Sequence, residues 1–586
     1  MKGLRRGEGG SRGESRSSGL WGSRRGGRGS SSRSRDAVLR GLLTLLLLAL
    51  AAPLAASAGG DHGGPGLQSY LAPSLERAAG QTPDAPVQVI VQSDAGATDA
   101  RAALDQYGSA QTQLGIAGAS AGTVPAGDLQ SLASEPGLVI TPDNPVALDA
   151  PGGRGGLQPE AKGSQIWPEA VGLDPILPQS GPGKRKGWPR YHGPRIDGPE
   201  PTIAFVDSGI EAGRKDFGNR VLASLNLTGL PDNSPGDGFG HGTLIAGLAA
   251  GSNPDFMGAA PAAGIVSLDV LDDNGMARTS DVIRAAQWIL ANHDRYDIRV
   301  ANFSLHSTTA TSFRFDPLDK AIEKLWFAGV FVVASAGNDA QGGKPVRMGF
   351  APANDPFVTT VGALDLHNST DPDRADVAPW SSWGYTLDGF AKPELSAPGR
   401  AIAGPVPSDS VLANSKQFKD QVMKTPDGTY MTLSGTSLSA PIVAGIADDL
   451  IALNPSLTPD RVKGALMLGA QPLRKVHGFA GGVGEVNAAA SASIQFPPNP
   501  NRALDRFLIP DPSGAGMVFD DVSWRDVVAS SPSWNAISWR DGWFGAAWSL
   551  VSWSDVSWSD VSWSDVSWSD VSWSDVSWDD VFGDVD

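Results

Sequence analysis

Between Pro201 and about Ala490 the chain keeps repeating one alternation: a short, nearly unbroken apolar run, a turn, then a helical stretch. The apolar runs include "TIAFVDSG" (202–209), "GIVSLDVLDD" (264–273), "RVANFSL" (299–305) and "VFVVASAGN" (330–338). A strand that is apolar on both sides has to be covered on both faces, and strands joined through helices run parallel. The alternation therefore predicts an α/β fold, a mainly parallel sheet between two helical layers. In such sheets the polar residues that perform chemistry gather at the carboxyl ends of the strands. Asp207, Ser304 and Asn338 stand at such ends.

The rest of the 586 residues is of a different kind. Residues 1–40 are rich in Arg, Gly and Ser, and "GLLTLLLLALAAPLAASA" (41–58) is an apolar run closing on Ala56-Ser57-Ala58. That order reads as a secretory signal over 1–58, cut after Ala58, with a retained membrane anchor as the alternative. The pairs Arg5-Arg6 and Arg24-Arg25 lie too far from the apolar run to make a strong twin-arginine signal. Residues 59–85 are expected to be a flexible link. Residues 86–149 follow a β-α-β-β-α-β order, which suggests a small ferredoxin-like α+β sandwich. A Gly/Pro-rich joint over 150–165 leads into the α/β unit at 166–495. From 496 to 586 a Pro/Asn linker passes into a low-complexity Trp-repeat tail, the pentad "VSWSD" recurring from Val551. A period of five matches neither a helix face nor strand alternation. A pentapeptide coil, a Trp ribbon stacking on envelope glycans and a tail without a task all stay open. The net charge of −17 argues against a nucleic-acid partner, and the lack of cysteine excludes disulfides and thiolate zinc sites.

One stretch poses a sharper question. "SGTSLSAPIVAG" (434–445) sets Ser434, Thr436, Ser437 and Ser439 among small residues where an apolar helix begins. A helix start presents unpaired N–H groups and the positive end of its dipole, which suits a place where negative charge must develop. Helix capping explains the same hydroxyls equally well. Acyl transfer needs a nucleophile, a base, a group that orients the base, and donors for an oxyanion. Ser437, His241 in "GFGHGTLIAGLAAG" (238–251) and Asp207 at its strand end are the candidates for the first three roles.

In this order the residues resemble the subtilisin-like serine proteases. The resemblance rests on "VDSGI" (206–210), "GHGTLIAG" (240–247), "ASAGN" (334–338), "KPELSAPG" (392–399) and "SGTSLSAP" (434–441), and covers about 165–490. The chain order Asp–His–Ser is the subtilisin arrangement. The resemblance implies a three-layer subtilisin-like fold and a secreted serine endopeptidase. Ser437 would be the nucleophile, His241 the base and Asp207 the residue that orients it. Asn338 and the Ser437 N–H would form the oxyanion hole, in which one lost donor costs about 100- to 1,000-fold. Ser304, Leu305 and His306 would form one wall of the substrate cleft, His306 standing where relatives carry Gly, with Ser335, Ala336 and Gly337 opposite.

The resemblance calls for no cofactor. Asp216 resembles a calcium ligand, but the loop expected to complete that site, "SNPDFMG" (252–258), is short. Residues 86–149 would be an intramolecular inhibitor, with "VITPDNPVALDA" (139–150) lying in the cleft until it is cut. The expected partners are protein or peptide substrates, this inhibitor and, through the tail, the cell envelope. The expected location is outside the cell or at its envelope. The competing class is a non-catalytic envelope-binding protein that works through its tail.

Overall fold

The computed structural model describes residues 69–148, 165–173, 175–177, 196, 199–476, 478–511 and 516–530, the last three by backbone alone. All of these belong to one compact unit that starts at Pro65. The signal segment, most of the 150–165 joint and the pentads from Val551 lie outside the described residues.

The apolar runs form one sheet. Its strands lie in the order Thr359–Asp365, Phe331–Ser335, Ile298–Phe303, Thr202–Asp207, Gly264–Asp269 and Val221–Asn226, all parallel. Leu395–Pro398 adds a parallel strand beside Thr359–Asp365, and the short Asp376–Val377 an antiparallel one. Position in the sheet decides burial. Thr202–Asp207 and Phe331–Ser335 are buried throughout, whereas Val221–Asn226 at the edge alternates between half-buried and exposed.

Helices His241–Ala250 and Thr436–Leu453 pack against the sheet and against each other, and Thr279–Tyr296 and Pro317–Phe327 form a second packed pair. All ten residues of His241–Ala250 are buried, as is every residue from Thr436 to Ile451. A helix apolar all round belongs in a core. Thr436–Leu453 is the one helix among the described residues long and apolar enough to cross a membrane, and here it is core.

The N-terminal unit has the expected β-α-β-β-α-β succession, with sheet neighbours in the order Leu138–Pro142, Pro86–Ser93, Ala119–Pro125 and Ser109–Leu114. Its lower boundary needs correction. Residues 70–81, placed in a flexible link by their composition, instead form strand Tyr70–Leu71 beside Leu138–Pro142 and helix Pro73–Gln81. Ala72 and Leu75 are buried with Val89, Leu104 and Ile140, and that burial outweighs the local Gly and Pro content.

The other face of this small sheet docks on the α/β unit. Ile90, Leu114, Ile116 and Ala121 join the main core, and Gln92 Nε2 donates to the Phe315 carbonyl at 2.8 Å. Asp143 accepts from Ser280 N at 2.9 Å and Ser280 Oγ at 2.7 Å, placing a carboxylate at the start of helix Thr279–Tyr296.

The C-terminal boundary also moves. Of the 496–586 segment expected to be linker and tail, residues 501–511 and 516–530 fold onto the α/β unit. They form a hairpin (Leu508–Pro510 with Met517–Phe519) and helix Asp521–Ser530. Phe507, Phe519 and Trp524 are buried in the main core. Asn501 ties this segment to a buried charge network. Lys463 Nζ donates to the carbonyls of Pro356, Phe357 and Val358, each at 3.0 Å, to Glu394 Oε1 at 2.9 Å and to Asn501 Oδ1 at 3.3 Å. Burial pushes the Lys463 ammonium down to about 8 against the pull of Glu394. Burial by itself would raise the Glu394 carboxyl, but Lys392 and Lys463 bring it below its usual range.

Glu485 lacks such compensation. Burial pushes its carboxyl up to about 8, and Oε1 has no hydrogen-bond partner among the described residues. The folded state thus holds this proton more tightly than the unfolded chain. Its stabilising effect is complete below about 4.5 and is lost as the pH rises through 8. Glu485→Gln keeps the shape without the charge. It is expected to raise stability at pH 9 by an amount on the order of several kcal/mol and to change little at pH 4. Thermal unfolding at the two pH values checks this; equal shifts at both would contradict it.

Candidate active site

Asp207 is the last residue of its strand and His241 the first of its helix. Asp207 Oδ1 lies 2.8 Å from His241 Nδ1 and also accepts from Ser208 N at 2.8 Å. Both side chains are buried. The turn needs its glycines. Gly240 precedes the helix at φ +102°, and a Cβ on Gly242 would lie 2.1 Å from the Gly209 carbonyl oxygen.

A residue that the sequence motifs did not single out holds this corner together. Asp237 accepts from Gly240 N and Thr243 N, each at 2.7 Å, and from Ser208 Oγ at 2.8 Å; Ser208 Oγ in turn accepts from Gly242 N at 2.9 Å. It therefore binds the residue after Asp207 to the first turn of the His241 helix. Burial pushes its carboxyl up to about 6 against these hydrogen bonds. The hint in the sequence was an Asp four residues before the His, which is weak in a Gly-rich loop. Asp269 ends the neighbouring strand in register with Asp207. Burial, with the negative charges of Asp237, Asp207 and Asp273 adding to it, pushes the Asp269 carboxyl up to about 7.

The four hydroxyls of 434–439 divide their work. Ser434 Oγ accepts from Ala401 N at 2.9 Å, Thr436 Oγ1 accepts from Gly337 N at 3.0 Å, and Ser439 Oγ donates to the Ala397 carbonyl at 3.1 Å. The "KPELSAPG" segment thus braces the turn. Ser437 Oγ makes no hydrogen bond among the described residues.

Its position is set by a defect in its own helix. Pro441 lies inside the helix, so the Ser437 carbonyl loses the N–H four residues on. Ser304 Oγ replaces that donor at 2.9 Å. Ser304 follows Phe303, which pairs with Val206, so it stands beside Asp207 at the carboxyl edge of the sheet. The Ser437 and His241 helices therefore begin at the ends of adjacent strands. They meet again eight residues on, where a Cβ on Gly445 would lie 2.8 Å from the Ala249 carbonyl oxygen. No hydrogen bond joins Ser437 Oγ to the imidazole.

Asn338 follows strand Phe331–Ser335 and Gly337, which is at φ +99°. Its Oδ1 accepts from Thr436 N at 3.0 Å, which turns the NH2 group the other way. A Cβ on Gly435 would stand 3.4 Å from Asn338 Nδ2 and 3.1 Å from Ser437 Oγ, so amide and hydroxyl flank one small space. The Ser437 N–H belongs to the first helical turn, where no acceptor within the helix exists.

Ser304, Leu305 and Ser335 are fully buried, and Leu305 is core. That burial holds with strand Pro145–Ala147 paired to His306–Ser307. Ser304 Oγ also bonds the Ser437 carbonyl. His306, Ala336 and Gly337 do line a common small pocket, with Asp339, Met348 and Phe350. A three-stranded antiparallel arrangement runs past it: Pro145–Ala147 lies between Met276–Arg278 and His306–Ser307. Asp216 accepts from the Tyr430 hydroxyl at 2.7 Å and from Arg214 Nε at 3.1 Å, one on each oxygen. With both oxygens committed and a guanidinium alongside, it does not fit a calcium ligand.

A carboxylate-held imidazole and an uncommitted serine at one sheet edge form the layout of a serine hydrolase. Comparison with known proteins narrows that class. Residues 198–489 match the model of the subtilase family. The chain is 33% identical to serine protease AprX of Bacillus subtilis over 316 residues, covering 52% of this chain and 69% of that one. It is 30% identical to subtilisin E of the same species over 304 residues, covering 52% and 68%. Among solved structures, fervidolysin from Fervidobacterium pennivorans shares the fold, with a TM-score of 0.51 and 23% identity. That match covers 70% of this chain and 62% of fervidolysin. The chain belongs to the subtilase family and is a serine endopeptidase.

Proposed function

We propose that Asp207, His241 and Ser437 form the catalytic triad. Ser437 Oγ attacks the scissile peptide carbonyl while His241 Nε2 takes its proton, and the carbonyl π electrons move onto oxygen. Asp207 holds Nδ1–H at 2.8 Å, which fixes the useful tautomer and stabilises the imidazolium. Asn338 Nδ2 and the Ser437 N–H receive the oxyanion. The C–N bond breaks as His241 returns the proton to the leaving amine, leaving an acyl-enzyme that water hydrolyses by the same route. The observation that carries this reading is a buried Asp–His pair beside a serine whose hydroxyl, unlike its three neighbours, is not used by the fold.

Strand Pro145–Ala147 supports a second element. An extended segment bonded on both sides beside the pocket occupies the path that a substrate would take. Residues 70–148 then act as an intramolecular inhibitor, and the chain is made as a precursor that cuts itself beyond Ala147. The apolar run at 41–58 supports export of that precursor.

Labelling with a fluorophosphonate tests the triad. The mature enzyme should carry one adduct, on the peptide containing Ser437. An adduct elsewhere, or an active enzyme that resists the reagent, would sink the assignment.

A further inference from the structure

The first copy of the tail motif lies inside the described fold. Asp521-Val522-Ser523-Trp524 opens the last helix, and the tetrad Asp-Val-Ser-Trp recurs five times beyond it, starting at Asp555, Asp560, Asp565, Asp570 and Asp575. In the first copy, residues i and i+3 of one helical turn share a face. Asp521 uses that face to approach Arg314 Nε at 3.3 Å. Trp524 sits in an aromatic seat, 5.4 Å from the Phe313 ring edge-to-face and 5.7 Å from Phe390 stacked, with Phe519 at 6.2 Å. Both side chains are buried. Asp520 caps the turn, accepting from Ser523 N at 3.0 Å. Each of the five later tetrads is preceded by Ser, a residue type suited to capping a helix start. The acid, the tryptophan and a cap-forming residue before them thus recur in the other five.

We propose that the seat formed by Phe313, Arg314 and Phe390 is a receptor for the tetrad Asp-Val-Ser-Trp, and that the tail of the same chain supplies its alternative occupants. The 30 residues between Trp524 and Asp555 can extend to roughly 100 Å, so the tail can reach back to the seat. A tethered segment competes at an effective concentration of around millimolar, which favours the chain's own tail over that of another molecule. The period of five follows from this. Each unit contributes a cap, an acid and a tryptophan for one helical turn, and only one unit is seated at a time.

The test compares chains ending at residue 530 or 586, with and without Trp524→Ala, all in a Ser437→Ala background to prevent digestion. In the shorter chain Trp524→Ala should lower Tm by several degrees. In the longer chain the loss should be at most half as large, because a tail tetrad takes the seat. Equal losses in both chains would overturn the proposal. If the short tryptophan variant does not fold, Asp521→Ala repeats the comparison with a smaller perturbation. A labelled peptide of residues 554–565 should bind the short Asp521→Ala chain and lose that binding when its two Trp are replaced by Ala. Binding unaffected by that replacement would overturn the proposal. Rescue that grows with protein concentration and brings dimers in sedimentation would assign the seat to the tail of a second copy and overturn the choice of the chain's own.

Discussion

Ser437→Ala is expected to lower kcat by roughly six orders of magnitude, the size of loss found when the subtilisin serine is removed. The substitution deletes one oxygen that makes no hydrogen bond to the fold among the described residues. The Ser304 bond to the residue's carbonyl stays, as does the Gly435 turn. Folding should therefore be nearly unaffected while chemistry stops. The same variant should also accumulate as an uncut precursor, with the chain beyond Ala147 still joined to the α/β unit. Intact mass and N-terminal sequencing of the purified protein check this. A variant that matures when made alone would show that another protease does the cutting, and one that still hydrolyses peptides at a normal rate would remove Ser437 from the mechanism.

Asp207→Asn is the second large effect, expected at about ten-thousandfold in kcat. The amide is nearly isosteric with the carboxylate. Its oxygen can still accept from Ser208 N, where Asp207 Oδ1 now accepts at 2.8 Å. That same oxygen position faces His241 Nδ1 at 2.8 Å, so the NH2 group meets the ring only in the rotamer that gives up the Ser208 N bond, and there Nδ1 must accept and the ring carries its proton on Nε2. His241 in that tautomer cannot take the serine proton. The positive charge that forms on the ring also loses its partner. Steady-state kinetics on a peptide substrate, together with a melting curve, separate this loss of catalysis from a loss of fold. A loss below tenfold in a well-folded variant would show that the 2.8 Å contact orients nothing that matters to the reaction.

Much of the site was legible because its signals are local. "VDSGI", "GHGTLIAG", "ASAGN" and "SGTSLSAP" each join a strand end or helix start to the small residues that let backbones approach, and each places a functional side chain at a turn. The apolar runs around them predicted the parallel sheet, since strands that are covered on both faces cannot spare polar positions. Less could be read where partners are far apart in sequence. Ser304 reads as a cleft residue in its motif, and nothing there shows its bond to a carbonyl 133 residues away that Pro441 left without a donor. Asp237 looks like one more loop acid until Gly240, Thr243 and Ser208 are seen to converge on it. Residues 70–81, 501–511 and 516–530 have the composition of links, and only the cores that receive Leu75 and Trp524 make them part of the fold.

By its sequence alone this chain established its architecture, its family and the chemical types at the sheet's edge, because periodicity and turn-forming residues act over a few positions. Tertiary structure decided which of four neighbouring hydroxyls is left uncommitted, which wall residues face the cleft, and where strand Pro145–Ala147 and the first Asp-Val-Ser-Trp copy come to rest. Those outcomes depend on hydrogen bonds and buried surfaces between segments tens to hundreds of residues apart. Such contacts exist only after the backbone has folded, so no window of the sequence contains both halves of any one of them.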